Sequence, residues 1–474
     1  MSSASNPDHV VAVVFADAAL IIVVSTLFAR AVRRYRQPVV IGEILAGLAL
    51  GPSLLGLLPG DLPGRLFPTD VRPHLSVLAQ FGLVLFMFVV GFEHDLGHVR
   101  RAGRVTAAMS ASSIILPFGF GLGAAAALHP WHHSIDGHPV RTLPFLLFLG
   151  TALSITALPV LARILVERRM NDSPIGRMSL TCAIIGDAVA WCMLAVVVAI
   201  VKSHGPGAFL RMIGELAGLV ATLSLVVAPA ARAALARVSL RTDERTRTST
   251  ILSFVVVGVL LSAWATAEIG LHPVFGAFAF GAVLPRDSVA RAAPNLSLDV
   301  ERLGIILLPL FFVTAGLSVN LRTLGARGLV EILLITAVAC GGKAVGAGGA
   351  ALASGLGRGG SAVFATLMNT RGLTEIVVAQ IGLDLKVLDR TTFTALVVMA
   401  VFTTAATGPL LNRLASAPWA VAHGWLPSDG AAVGGIPSGR PPLRDAPATI
   451  DLLDTPKMDA ELDEAVRTIR RADR

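Results

Sequence analysis

Apolar runs recur along the chain from about residue 10 to about residue 413, each bounded by short polar or basic stretches. A helix needs roughly 20 apolar residues to cross about 30 Å of hydrocarbon, and these runs have that length. The pattern predicts an all-α membrane protein of about thirteen transmembrane helices. They cover 11–32, 38–58, 74–96, 104–128, 143–166, 175–201, 208–235, 248–269, 271–285, 303–319, 329–355, 361–382 and 391–413. The ninth and tenth are short and rich in Gly and Pro, so the pattern sets their ends only loosely.

Two of these runs carry polar clusters at their centres. The fifth reads LPFLLFLGTALSITALPVLARILVE, with Thr151, Ser154, Thr156 and Pro159 in the middle. Pro159 lacks a backbone N–H and frees a carbonyl about one turn earlier. The hydroxyls of Ser154 and Thr156 then either satisfy the backbone locally or face an ion. A plain Pro-kinked helix held by Ser and Thr is the alternative. The twelfth reads FATLMNTRGLTEIVVAQIG, with Asn369, Thr370, Arg371, Gly372 and Glu375 in mid-run. Such a helix buries several polar groups or breaks, and Gly372 makes a break easy. Arg371 and Glu375 are four apart and can pair on one helix face. Broken helices at matching places in two halves of a chain point to an inverted-repeat transporter with its site at the midplane. The half-helix ends would bring positive and negative dipole ends to that site.

Intramembrane charge sharpens this picture. A carboxylate at the bilayer centre costs about 2.5–3.5 kcal/mol on insertion scales, so it marks function by default. Asp187 is the lone charged residue in CAIIGDAVAWCML, at the centre of the sixth run. Lys343, one of only four lysines, is central in the eleventh, within ACGGKAVGAGGA. A buried Asp187–Lys343 pair would lower the cost of both charges. It would either fix packing or form an ion site. Burial and a neighbouring cation act on such a carboxyl in opposite senses, and their balance lets one group hold a proton or a small cation but not both. Asp17, Glu43, Gln80, Arg163 and Glu215 are lesser intramembrane candidates for helix-end, cavity or pairing roles.

The composition agrees: of 474 residues 54% are hydrophobic and only 15% charged, where a soluble chain carries about a quarter. The formal charge of +8 resides mostly in Arg at the ends of runs. That marks topology, and no interleaved basic–aromatic surface suggests nucleic acid. Arg33, Arg34 and Arg36, then Arg100, Arg101 and Arg104, then Arg168, Arg169 and Arg177, then Arg237, Arg241, Arg245 and Arg247 fall on one side. The positive-inside rule puts residues 1–10 and the N-terminus outside and the C-terminus in the cytoplasm. The N-terminal segment lacks the basic stretch of a signal peptide, so the first run is expected to be retained. Arg-over-Lys usage with abundant Ala and Gly fits a high-GC bacterium and hence a multi-pass protein of its plasma membrane. Cys182, Cys192 and Cys340 all lie in apolar runs, without disulfide or metal-ligand spacing. The loop HPWHHSIDGH places His129, His132, His133 and His138 together. No carboxylate or Cys set completes a metal site there, so it reads as a polar outer loop. Residues 418–474 form a cytoplasmic, mostly disordered tail, with one short amphipathic stretch, MDAELDEAVRTIRRA, and no nucleotide-binding glycine motif.

The motifs QPVVIGEILAGLALGPSLLG, FGLVLFMFVVGFEHDL, SITALPVLARILVERRM, IGRMSLTCAIIGDAVAW, HPVFGAFAFGAVLP, PLFFVTAGLSVN and MNTRGLTEIVV follow one another in order. Through them the chain resembles the monovalent cation:proton antiporters of the Kef, NapA and plant CHX type over residues 36–413, a sodium/hydrogen exchanger-like membrane domain at 11–417. The resemblance implies an inverted-repeat antiporter fold of thirteen helices with two crossed, unwound helices at 151–159 and 369–375. It implies a core bundle carrying the ion site, which moves against a second bundle that forms a homodimer. By motif position Asp187 matches the ion- and proton-binding carboxylate, and Lys343 its partner. There is one departure. The family carries Asn or Asp immediately before the binding Asp, and here it is Gly186. A paired Asp goes with electrogenic exchange in the family and Asn–Asp with electroneutral exchange.

The expected function is therefore antiport of K+ or Na+ against protons by alternating access, electroneutral, with Asp187, Ser154 and Thr156 as ion and proton ligands. No cofactor is expected, nor any metal beyond the transported cation; the partners are the cation, the proton, membrane lipid and a second copy. Space beside Gly186 raises the alternative of another small solute, coupled to protons. A non-transporting membrane sensor is a third reading. An enzyme is the poorest fit, since no nucleophile–base arrangement is present.

Overall fold

The computed structural model describes residues 7–415, apart from 36, 94–102, 136, 169, 171–172, 204 and 242–243. The tail and Arg36, Arg100, Arg101 and Arg169 of the basic loops lie outside the described residues. The helices in chain order are α1 (Pro7–Arg34), α2 (Val39–Leu50), α3 (Leu62–Leu66), α4 (Arg72–Glu93), α5 (Arg104–Leu128), α6 (Thr142–Ser154) and α7 (Leu158–Glu167). Next come α8 (Pro174–Lys202), α9 (Pro206–Thr222), α10 (Ala228–Arg241), α11 (Glu244–Glu268), α12 (Pro273–Val283), α13 (Arg286–Ala292) and α14 (Leu296–Leu317). The last are α15 (Gly325–Lys343), α16 (Gly349–Ala353), α17 (Gly357–Met368), α18 (Leu373–Asp384) and α19 (Arg390–Ala415).

Among the described residues, 11 helices are long and apolar enough to cross a membrane. Two of the runs read from the sequence fall short of that length. The ninth is the 11-residue α12, and the twelfth is divided into α17 and α18, of 12 residues each. Boundaries move where polar residues extend a helix. α1 begins at Pro7 rather than 11, because Pro suits a first turn and Asp8 meets the positive helix end. α14 begins at Leu296 rather than 303, with Asp299 in its first turn. The short α13 was not visible in the hydropathy at all.

The helices pack in two groups. One joins α4 to α14 and α12, α2 to α1 and α14, and α11 to α12. Small residues permit the closest approach: a Cβ on Gly47 of α2 would lie 2.9 Å from the Gly316 Cα of α14. The other group joins α5 to α6, α8 and α15, and α19 to α15 and α18. This second group, the core bundle, contains both interrupted helices. One face of the molecule carries a hairpin, Ser134–Ile135 paired with His138–Pro139, and the turn at 385–389; it is called the hairpin face below.

Candidate functional site

Both predicted interruptions are real breaks. α6 ends at Ser154, the chain is extended through 155–157, and α7 starts at Leu158 with Pro159 in its first turn. There Pro159 costs nothing, since first-turn N–H groups have no helical partner. α17 ends at Met368, and Gly372 at φ 162° leads into α18. The breaks cross and satisfy one another: Thr156 Oγ1 donates to the Met368 carbonyl at 2.8 Å, and the Ala157 N–H to the Thr370 carbonyl at 3.0 Å.

Three of the four half-helix ends meet a charged group of opposite sign, and the fourth, the carbonyl end of α17, meets the Thr156 hydroxyl. The carbonyl end of α6 receives two cations. Lys343 Nζ donates to Ser154 O at 2.7 Å, Thr156 Oγ1 at 2.8 Å and Ser113 O at 3.0 Å. Arg371 donates to Ala152 O at 3.2 Å and Leu153 O at 2.7 Å. The amide ends receive two carboxylates. Glu375 lies in the first turn of α18 and pairs with Arg371 at 3.1 Å. Asp187 on α8 faces the Leu158 backbone at the start of α7, which acts on its carboxyl. Opposite charges at helix ends are the favourable arrangement of the macrodipole, strengthened here by full burial. Asp187, Lys343, Arg371 and Glu375 are each no more than 1% exposed.

Three hydrogen bonds use all three N–H donors of the Lys343 ammonium. Lys343 thus acts on Asp187 through space, and its contacts hold the break together. Its position is itself unusual: α15 ends at Lys343 and a π-helical turn, Ala344–Gly348, follows. Such turns interrupt α-helices frequently at functional sites. Ser112 Oγ donates to the Gly346 carbonyl at 2.8 Å within this turn.

The remaining predicted residues serve the breaks. Ser154 Oγ donates to Thr151 O and Thr151 Oγ1 to Leu147 O, so both hydroxyls are engaged locally. Asn369 Nδ2 donates to Cys340 Sγ at 3.4 Å, while its Oδ1 is buried with no hydrogen-bond partner. Thr370 Oγ1 donates to Leu367 O. Two supports escaped the sequence reading. Thr404 of α19 accepts from the Arg371 N–H at 3.0 Å and donates to the Arg371 carbonyl. The Ser113 carbonyl of α5 holds Lys343. The Thr pair in VFTTAATG was a signal for the first; a backbone carbonyl leaves no signal for the second.

Of the lesser candidates, Glu215 is an exposed partner of Arg211 at 3.9 Å, and Arg163 pairs with Glu167 at 2.8 Å. Glu43 lies within electrostatic reach of Arg163 and Arg33, and Asp17 is buried on α1. Gln80 lines a cavity of about 570 Å³ between the two helix groups on the hairpin face, with Lys202, His272, Val377 and Asp384. His272 is the N-cap of α12. It faces the Val274 N–H at the start of α12. The three cysteines are free thiols.

Two crossed, broken helices with buried charges at their crossing are the arrangement expected of a multi-pass membrane transporter. The family model for the transmembrane sodium/hydrogen exchanger matches residues 19–416. The chain belongs to that family of monovalent cation:proton antiporters. It is 35% identical over 413 residues to the Na(+)/H(+) antiporter NhaS4 of Synechocystis sp., covering 85% of this chain and 98% of that protein. It is 36% identical to Cation/H(+) antiporter 18 of Arabidopsis thaliana over 83% of this chain, and 31% to K(+)/H(+) antiporter 1 of Saccharomyces cerevisiae over 83%. It spans about half the length of these two, 48% and 45%. The sodium proton antiporter MjNhaP1 of Methanocaldococcus jannaschii shares the fold, with a TM-score of 0.62 at 15% identity over 88% of this chain and 99% of that structure.

Proposed function

We propose that the chain exchanges a monovalent cation, Na+ or K+, for protons by alternating access, and that the two compete for Asp187. The observation that carries this reading is the placing of Asp187. It is a wholly buried carboxylate against the amide end of α7, in electrostatic reach of an ammonium whose donors are spent elsewhere. A carboxylate so placed holds one cation or one proton, and a group that cannot hold both couples their flows. Lys343 and Arg371 keep the α6 end and the crossing rigid, Thr156 bridges the two breaks, and Ser154 and Asn369 flank the site. Gly186 adds no second charge, so one cation moves for each proton and the cycle is electroneutral. The relatives named for Na+ and for K+ leave both ions as substrates to test.

The core bundle moves against α4, α12 and α14, and the cavity lined by both groups gives access from the hairpin face. The apolar residues exposed on α9 to α11, among them Leu210, Leu225, Val257 and Trp264, face lipid and a second copy in a homodimer. The protein works in the plasma membrane, with its N-terminus outside and its tail in the cytoplasm.

A second reading has one observation in its favour. A Cβ built on Gly186 meets nothing within 4 Å, and open space beside Asp187 is what a larger cation or another small solute would use. Proton flux in reconstituted vesicles, on addition of Na+, K+ or neither, tests both readings. Flux evoked by one of the two ions supports exchange and names the ion. Vesicles that respond to neither ion overturn it and favour the second solute.

A further inference from the structure

Far from Asp187, on the hairpin face, one imidazole sits between two carboxylates. His132 Nδ1 lies 2.8 Å from Asp389 Oδ2 and His132 Nε2 lies 3.0 Å from Glu331 Oε2. His132 is 6% exposed and Glu331 1%. A neutral imidazole has one N–H donor, so it can satisfy only one of these contacts; the other would set a lone pair against a carboxylate. The arrangement as built needs an extra proton, on the ring or on one carboxyl. Among the described histidine side chains of the loop, only His132 is turned inward this way. His129 and His133 bond to the backbone carbonyls of Val140 and Pro130, and the His138 side chain lies outside the described residues.

The three groups come from separate parts of the core bundle. His132 follows α5, and its ring stacks on Phe145 of α6 with centroids 6.1 Å apart. Glu331 is in the second turn of α15, whose far end carries Lys343 about 18 Å away at 1.5 Å per residue. Asp389 caps α19, accepting from the Thr392 N–H at 2.8 Å. The same helix carries Thr404, which braces Arg371. The cluster thus ties together the hairpin-face ends of the helices that support the crossing.

We propose that His132, Glu331 and Asp389 form a second proton-binding site, distinct from Asp187, that clamps α15 and α19 to the loop after α5 and releases them when its proton leaves at alkaline pH. Burial pulls the imidazole pKa down, but hydrogen bonds to Asp389 and Glu331, and their charges, outweigh it and raise it to about 9. Asp389 is resisted by burial too, yet the bonds from His132 and Thr392 hold it below the usual carboxylate range. Those two carboxylates are the charged groups that act on His132; Lys386 and Arg390 flank Asp389 in sequence, and Arg141 follows the hairpin. The signs follow. A raised imidazole pKa stabilises the fold fully below the unfolded value near 6.5, and that contribution is lost as pH rises through about 9. A lowered Asp pKa contributes above its unfolded value of 3.8 and fails only in acid below it. Between these limits the clamp is closed.

The site does not depend on which ion is carried, and its test reads the proton directly. Full-length protein with 13C-labelled histidine, in detergent, is titrated from pH 6 to 10.5 by NMR. One imidazole should titrate near pH 9, vanish in His132→Gln, and move down by at least one pH unit in Glu331→Gln. In parallel, the melting temperature of the wild type should fall by a few degrees between pH 8 and 10, a fall absent from His132→Gln. Should His132→Gln fail to fold, Glu331→Gln alone carries the assignment. A spectrum with no imidazole titrating above pH 8 overturns the proposal. So does a high-pH imidazole that Glu331→Gln leaves in place, or an alkaline melting drop that persists in His132→Gln.

Discussion

Lys343 Nζ donates to Thr156 Oγ1 at 2.8 Å, and the same hydroxyl donates onward to the carbonyl that ends α17. One side chain thus carries a buried ammonium into the crossing of two broken helices. Thr156→Val keeps the shape but removes the acceptor for Lys343 and the donor for Met368. Each buried group left unpaired costs about 1–3 kcal/mol. Thr156→Val should lower the melting temperature and cut ion-driven flux severalfold, while Thr156→Ser, which keeps the hydroxyl, should retain most of both. Equal loss in the two variants would mean that the methyl group, not the relay, matters.

Asp187→Asn tests the site itself. The amide has nearly the volume of the carboxylate and can still meet the Leu158 backbone, so the variant should fold with a melting temperature close to wild type. It cannot trade a proton for a cation, and cation-evoked proton flux should drop to the level of empty vesicles. Persistent flux in a folded variant would remove Asp187 from the mechanism.

Arg371 and Glu375 answer to a different test. Both are wholly buried, and Arg371 also serves two carbonyls of α6. Arg371→Leu strands the Glu375 charge, and breaking one side of a buried pair costs about 3–5 kcal/mol. The single variant should express poorly and melt early. Arg371→Leu with Glu375→Leu should recover part of the stability without recovering transport, because the α6 carbonyls still lack their donors. Stability assays in detergent and flux assays in vesicles separate the two effects.

How much of this was legible beforehand depends on where each signal is written. The breaks were legible because Pro159 and Gly372 are side-chain facts, and polar clusters in apolar runs are hard to miss. Asp187 and Lys343 stood out for the same reason. What Lys343 bonds to was not legible: its acceptors include the Ser113 and Ser154 carbonyls, and every residue has a carbonyl. Two opposite charges pointed to a pairing of Lys343 with Asp187, but not to the carbonyls that take the ammonium's donors. The hairpin-face cluster was hidden for another reason. His132, Glu331 and Asp389 are 199 and 257 residues apart in the two pairings, and each alone reads as an ordinary loop or helix-end residue.

Gly186 supplies the last test. Most buried glycines here are tightly held: a Cβ on Gly276 would run into the Ser262 carbonyl. A Cβ on Gly186 meets nothing within 4 Å, although the residue is buried beside Asp187. Gly186→Ala should therefore fold, and even gain about 0.8–1 kcal/mol of helix propensity. Gly186→Asn should also fold, and its amide should narrow the site and shift the preference among Na+, K+ and larger cations. Gly186→Asp adds a second carboxylate within one turn of the first. If one cation moves per proton in the wild type, its flux should ignore an imposed voltage, and that of Gly186→Asp should follow it. Voltage-sensitive flux in the wild type would show that a second charge moves through a site built around Asp187 alone.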